Sequence, residues 1–382
     1  MITIGVDIRV LSTGRTSGIE EYTEQLLAHM VPLDSPDVHF KVLYGGRQPL
    51  TRRAWMDASN VSMHDMGMPN RALWLRTRLT GRPFFDAIVG GADVFFFPHF
   101  LLGALSPACR RVMTWHDLSY ERMPHLLSWH RRRWHDLQMR PQAQAKASDR
   151  IVAVSQSTAD DLIQWYGIPP ERVAVVYSGV DALLRRPSEQ ILRKWCLSRD
   201  IDGPFVLALG TREPRKNLPA LVAAWDALRR REGMQNIQLV IAGQSGWMED
   251  ELAKAIRATR TPGMVRLLDG ISRDERPLIL SAASVLAYPS LLEGFGFPPL
   301  EAMACGTPVV ASATSSVAEV IGDAGILVDP YRIDGLTTAL ESAVGDAGLR
   351  SRLVAKGYER VARFSWSDTA RQTLQQIRSV VY

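Results

Sequence analysis

Short apolar runs alternate with helical patterns along nearly the whole chain, and this rhythm limits the fold more than any other feature. In the first half the strand-like runs are 2–9, 39–45, 92–97, "RRVMTW" (110–115), "RIVAVS" (150–155) and "VAVVYS" (173–178), with helical patterns at 18–30 and 156–166. In the second half they are "PFVLALG" (204–210), "IQLVIAG" (237–243), "MVRLLDG" (264–270), "SVLAYPS" (284–290), "PVVAS" (308–312) and "GILVDP" (325–330). Helical patterns at 217–231, 248–260, 273–282 and 333–345 separate these. Strands that are apolar on both faces need cover on both sides, and helical crossovers make neighbouring strands parallel. The expected fold class is therefore α/β, with doubly wound sheets. A chain of 382 residues is too long for one ordinary core, so two such domains are expected. The stretch 181–203 breaks the rhythm and is expected to divide them, giving domains over 1–185 and 186–365. A last helix over 366–382 carries Ala370, Leu374, Ile377 and Val381 on one face.

The balance of 46% hydrophobic and 22% charged residues is that of a globular protein. No apolar run approaches the roughly 20 residues a membrane-spanning helix needs. The start, "MITIGVDIRV", reads as a strand and not as a signal peptide. Three scattered cysteines, Cys109, Cys196 and Cys305, form neither a disulfide framework nor a metal spacing, which points to the reducing cytoplasm. A net charge of +5 favours anionic partners, although a solvated basic surface explains it equally well.

The segment "EGFGFPPLE" (293–301) follows a strand directly. Ligands bind at the carboxyl ends of strands in open parallel sheets. Gly294 and Gly296 suit close backbone approach and positive φ, and Pro298 or Pro299 suits the first turn of a helix. That helix should run to about Cys305 with Gly306 as its stop, and its start is an anion site. Glu293 then falls on the loop and Glu301 in the first helical turn, where an acid also complements the helix dipole. Each carboxylate is suited to grip a sugar diol, through charge-assisted bonds worth about 1.5–3 kcal/mol. "GTREPRKN" (210–217) likewise follows a strand: Gly210 permits a tight turn, Arg215 can fork onto a diphosphate and Lys216 can reach it as a point charge. In "TWHDLSY" (114–120), His116 follows another strand; Asp117 either orients it or caps the next turn. His99 in "FFFPHF" also ends a strand.

Glu293 and Glu301, with seven residues between them, resemble the E-x7-E signature of retaining glycosyltransferases of the GT4 family, which have the GT-B fold. "GTREPRKN", "TWHDLSY" and "SGVD" (178–181) are similar to that family's other motifs and occur in the expected order. The resemblance implies two Rossmann-like domains facing a central cleft, with the last helix crossing back to the first domain. It implies that Arg215 and Lys216 hold the diphosphate of a nucleotide-sugar, a GDP- or UDP-hexose, while Gly210 and Thr211 line that site. Glu293 with Gly294, Phe295 and Gly296 would hold the sugar, Glu301 the ribose, and the loop at Ile271 the base. His116 would lie beside the donor sugar, on a hydroxyl or at the reacting centre. From their positions at strand ends and in the first loop, Gly18, His99 and Asp117 are expected toward the acceptor. The family often builds bacterial surface polysaccharides, so the expected acceptor is a glycan or a lipid-linked glycan, and the slightly favoured donor sugar is mannose.

In "LSTGRTSGIEEY" (11–22), Gly14 and Gly18 suit close approach, but Glu20 and Glu21 stand where many relatives are basic, which favours acceptor over phosphate binding. "DID" (200–202) fits a D-x-D metal motif but precedes a strand, so it reads as coincidence. His125, His130 and His135 are spaced by five, whereas helical metal pairs prefer i,i+4. No metal and no cofactor is expected beyond the nucleotide-sugar substrate. The stretch 122–140 mixes arginines with tryptophans, which suits peripheral contact with the inner face of a membrane and equally suits packing on its own domain. Nucleic acid is not expected. Two other classes stay open: a sugar-nucleotide epimerase or phosphorylase on the same scaffold, and a non-catalytic membrane- or nucleic-acid-binding protein.

Overall fold

The computed structural model describes residues 1–12, 18–33, 37–45, 50–134 and 139–381. The chain forms two units, Met1–Gly179 with Ser365–Tyr382, and Val180–Phe364. The divisions thus fall at 179/180 and 364/365, not at 185/186 and 365/366. The two ends of the second unit meet at this point, where Val180 N–H donates to the Phe364 carbonyl at 3.1 Å, and the supposed linker lies wholly inside that unit. Within 181–203, Glu189–Ser198 is a helix that buries Leu192 and Trp195, and the Trp195 indole donates to Glu275 at 3.1 Å. It is an integral part of the second unit.

The first unit holds a seven-stranded parallel sheet: β1 (Ile2–Asp7), β2 (Val38–Tyr44), β3 (Val61–Asp65), β4 (Val94–Phe97), β5 (Arg110–Trp115), β6 (Arg150–Ala153) and β7 (Val173–Val175). Its order is β3-β2-β1-β4-β5-β6-β7. Continuous apolar strands such as β4, "VFFF", are buried along their length, with Phe85, Phe95, Phe97 and Trp115 in one core cluster. The last helix, Trp366–Arg378, buries Ala370, Leu374 and Ile377 and packs on the helix Gly18–Met30 of the same unit. Val381, expected on that face, lies beyond the helix end.

The second unit holds a six-stranded parallel sheet: β8 (Phe205–Leu209), β9 (Gln238–Ala242), β10 (Val265–Leu268), β11 (Val285–Tyr288), β12 (Val309–Ser312) and β13 (Ile326–Val328). Its order is β10-β9-β8-β11-β12-β13. Each sheet therefore reverses its winding once, between β1 and β4 and between β8 and β11. At such a switch point the two following loops run apart and leave a crevice at the carboxyl edge. In the second unit those loops begin at Gly210 and Pro289, which puts the two motif-bearing segments side by side.

Candidate active site

The turn after β8 is built around Gly210, at φ 138°. A Cβ there would come within 3.4 Å of the Lys216 side chain, so the glycine leaves room for the lysine to fold back. Pro214–Lys216 makes a single 3-10 turn, and Asn217, at φ 54°, starts the helix Leu218–Leu228. Asn217 tolerates this left-handed backbone and donates to the Pro330 carbonyl at 2.8 Å. The turn throws both basic side chains over the end of β11. Arg215 Nη1 donates to the Leu292 carbonyl at 2.6 Å and to Glu293 Oε2 at 2.5 Å. Lys216 Nζ donates to Glu293 Oε1 at 2.7 Å and to the Tyr288 hydroxyl at 2.8 Å. Arg215 also pairs with Glu213 at 2.6 Å.

Glu293 is only 7% exposed. Burial alone pushes its carboxyl up; Arg215, then Lys216, outweigh that and hold it down at about 2. Burial pushes the Tyr288 phenol well up, and the adjacent Glu293 charge adds to this. The cluster thus sets two cations against a carboxylate that is ionised at neutral pH and a phenol that keeps its proton. A diphosphate entering here would compete with Glu293 for the same donors. Gly210, Thr211, Lys216, Tyr288 and Ser290 line a small crevice at this point.

The segment 293–301 is fastened from β12's side of the sheet. Glu293 N–H donates to Ser315 Oγ at 2.9 Å, and the Ser316 hydroxyl donates to the carbonyls of Glu293 and Phe295 at 2.8 and 3.1 Å. Gly296, at φ 100°, precedes the helix Phe297–Ala304; it carries the positive φ, and Gly294 does not. Phe295 packs on Phe297 and Phe364 with ring centroids 5.2 and 5.8 Å apart. Glu301 lies in the second helical turn, not the first, so it does not complement the dipole. Buried there, it pairs with Arg276 at 2.7 Å. Ile271, half-buried, belongs to the loop between β10 and the helix Arg276–Ala282.

Arg212 points elsewhere. It is buried and donates to Glu249 at 2.8 Å, Asp269 at 2.7 Å and the Gly243 carbonyl at 2.8 Å. It ties together the loops after β8, β9 and β10. Those loops are tightly drawn, since a Cβ on Gly243 would sit 2.0 Å from the Gly210 carbonyl oxygen.

In the first unit, His116 follows β5 directly and His99 lies just past β4, with ring centroids 5.7 Å apart. Tyr22 meets His116 edge-on at 4.8 Å. His116 Nε2 bonds the Pro98 carbonyl at 2.9 Å; a carbonyl only accepts, so this nitrogen carries the proton. Burial lowers its pKa against the opposing Pro98 bond and Asp117 charge, so the ring is neutral with Nδ1 as an acceptor. Asp117 caps the next turn by accepting from Ser119 N–H at 2.9 Å and is not the partner that orients the imidazole. Gly18 is the first residue of its helix and is exposed, while Gly14 lies outside the described residues.

Similarity to known proteins identifies the family. Residues 195–360 match the family Glycosyl transferases group 1, and residues 16–182 match Glycosyltransferase Family 4. The chain is 30% identical over 310 residues to O-antigen chain mannosyltransferase B of Escherichia coli, covering 80% of this chain and 76% of that protein. The chain belongs to glycosyltransferase family 4. It is also 31% identical to the D-inositol 3-phosphate glycosyltransferase of Rhodococcus jostii (strain RHA1) over 60% of this chain, and spans about half (52%) of that relative's length. Of the serotype-specific mannosyltransferase WbdA of Escherichia coli, 30% identical over 61% of this chain, it spans 29%. Among solved structures, sucrose-phosphate synthase from Thermosynechococcus elongatus superposes with a TM-score of 0.76 at 20% identity, covering 100% of this chain and 99% of that one. Anabaena HepE in complex with UDP-glucose gives 0.71 at 18% identity, covering 99% and 100%. These likenesses show the GT-B fold class.

In this glycosyltransferase several site residues escaped sequence reasoning. Tyr288 had a signal, since it stands at the carboxyl end of β11, as Ser315 and Ser316 stand just past β12. Glu213 lay inside a motif already singled out. Arg276 had none, because its pairing with Glu301 joins separate helices. Among the described residues no group of His, Cys, Asp or Glu side chains is placed to hold a metal, and His135 lies outside them. No helix among them is long and apolar enough to cross a membrane.

Proposed function

We propose that this glycosyltransferase is a retaining hexosyltransferase that takes mannose from a nucleotide-diphospho-sugar, GDP-mannose before a UDP-hexose, and passes it to a glycan or lipid-linked acceptor in surface polysaccharide synthesis. The observation that carries the reading is the convergence of Arg215 and Lys216 on buried Glu293 at the switch point of the second sheet. The mannosyltransferase relatives support the sugar, and the UDP-glucose complex of a structural neighbour supports the class of donor.

In this mechanism the bond from the anomeric carbon to the diphosphate oxygen breaks first. Arg215 and Lys216 shift part of their hydrogen bonding from Glu293 to the phosphate, and the start of the helix Phe297–Ala304 adds its dipole. Glu293 and the Phe295–Gly296 backbone grip sugar hydroxyls, while Glu301, held by Arg276, grips the ribose; the Ile271 loop meets the base. The acceptor oxygen bonds the anomeric carbon on the face the phosphate leaves, and the phosphate takes its proton, so configuration is retained. Neutral His116, with His99 nearby, accepts from a hydroxyl at the reacting centre. Gly18 and Asp117 border the acceptor. With Arg215 and Lys216 countering the leaving group's charge, the reaction needs no metal or other cofactor. A lipid-linked acceptor calls for peripheral membrane contact at the inner face, for which 122–140 is suited. Its helix Trp129–Arg133 buries none of its residues, against the alternative of packing on its own domain.

The test is incubation of the purified chain with sugar nucleotides and a lipid-linked acceptor in the presence of EDTA. The expected outcome is release of nucleoside diphosphate and a product with the donor's anomeric configuration. Epimerised sugar from donor alone would contradict it.

A further inference from the structure

The helix Asn70–Thr80 faces the wrong way for an ordinary surface helix. Leu73 and Thr77 are buried, with Leu73 in the core cluster of the first unit. At 3.6 residues per turn, Ala72, Leu75 and Leu79 share the other side of the helix, about 100–160° from Leu73 and Thr77. Leu75 is 50% exposed and Leu79 74%, and Ala72 is exposed as well. Arg78 lies about 80° to one side of this ridge and Arg76 about 80° to the other, both exposed. From residue 66 to 85 the chain contains four arginines (Arg71, Arg76, Arg78 and Arg82) and no acid. An outward apolar ridge flanked on both sides by guanidiniums is not a solvated face.

We infer that this helix docks the first unit on an anionic membrane surface, with Leu75 and Leu79 entering the headgroup boundary and Arg76 and Arg78 taking phosphates. Charge decides the occupant. A second copy meeting the ridge would bring the flanking guanidiniums against their own images, and like charges repel. A phosphodiester surface offers them paired acceptors while the leucines leave water. Each arginine near such a surface is worth about fivefold in partitioning, and each buried leucine about tenfold or more. The reading rests on the proposed membrane-facing acceptor for its purpose and adds a contact separate from 122–140.

Co-sedimentation of the full chain, without sugar donor, with vesicles of phosphatidylcholine alone or with one-third phosphatidylglycerol tests it. The wild-type chain should bind the anionic vesicles and hardly the neutral ones. Leu75→Ser with Leu79→Ser should weaken binding at least tenfold, and Arg76→Gln with Arg78→Gln about twentyfold with a flatter salt dependence. Melting temperature and glycosyl transfer to a water-soluble acceptor should stay as in wild type, since none of these side chains belongs to the site. Residual binding through 122–134 is expected in both variants. Equal binding of wild type and the leucine variant would overturn the inference. So would no wild-type binding, or a wild-type dimer that the leucine variant makes monomeric without any change in vesicle binding. RNA binding that depends on the arginines but not the leucines would also count against it if vesicle binding were unaffected by either variant. Because no sugar is present, failure here leaves the assignment of glycosyl transfer untouched.

Discussion

The two units share one winding pattern and differ in what stands at their switch points. In the first, the charged pair at the end of β1 closes on itself: Arg9 grips its near neighbour Asp7 at 2.6 Å, reaches the Leu102 carbonyl at 3.1 Å and lies over the Phe85 ring. Elsewhere at this edge of the first unit the contacts are aromatic, with Tyr22 and His99 each meeting the His116 ring. In the second, the ion pairs run between loops of different strands, from Arg215 and Lys216 across to Glu293. A local buried pair braces the backbone, whereas pairs between separate loops can be exchanged for a ligand. Topology supplies the place and the loop residues supply the chemistry.

The sharpest way to break this contrast is to remove the exchangeable charges. Lys216→Ala or Glu293→Ala should lower kcat/KM for transfer by about 10²–10³-fold, as loss of a transition-state stabiliser does, with circular dichroism unchanged. Glu293→Gln separates binding from bracing: freed cations should give a larger thermal shift with nucleoside diphosphate than wild type shows. The same variant carries a pH signature. The Glu293 carboxyl is depressed in the fold to about 2 from its ordinary 4.5. Its contribution to stability is therefore complete above pH 4.5 and lost as pH falls toward about 2. Glu275, also held near 2, melts in the same window, so the difference between wild type and Glu293→Gln in acid unfolding isolates Glu293. In the first unit, His116→Gln should lower kcat about tenfold, the size of one lost hydrogen bond, and leave nucleoside diphosphate affinity unchanged. The smallest effect belongs to Arg212→Met. Loosening three loops should raise the donor KM a few-fold with kcat nearly constant and cost about 1–3 kcal/mol in urea unfolding.

Much of this was legible because both-face burial forces continuous apolar runs, which is why twelve of the strands stand out in the sequence. β3, "VSMHD", was missed because an edge strand need not be apolar throughout. The helix Asn70–Thr80 was missed because its leucines split between inside and outside, which blurs the period. Glu293, Arg215 and Lys216 were legible as motifs, but their mutual pairing was not, since it depends on how two loops meet. The second-turn position of Glu301 followed from a helix that starts at Phe297, with Glu301 four residues further on.

The most direct measurement is isothermal titration calorimetry of a nucleoside diphosphate and its parent nucleoside against wild type and Lys216→Ala. If the cluster at the second switch point is the diphosphate site, the diphosphate binds the variant at least tenfold more weakly while the nucleoside binds both alike. Unchanged diphosphate affinity in Lys216→Ala would contradict the account.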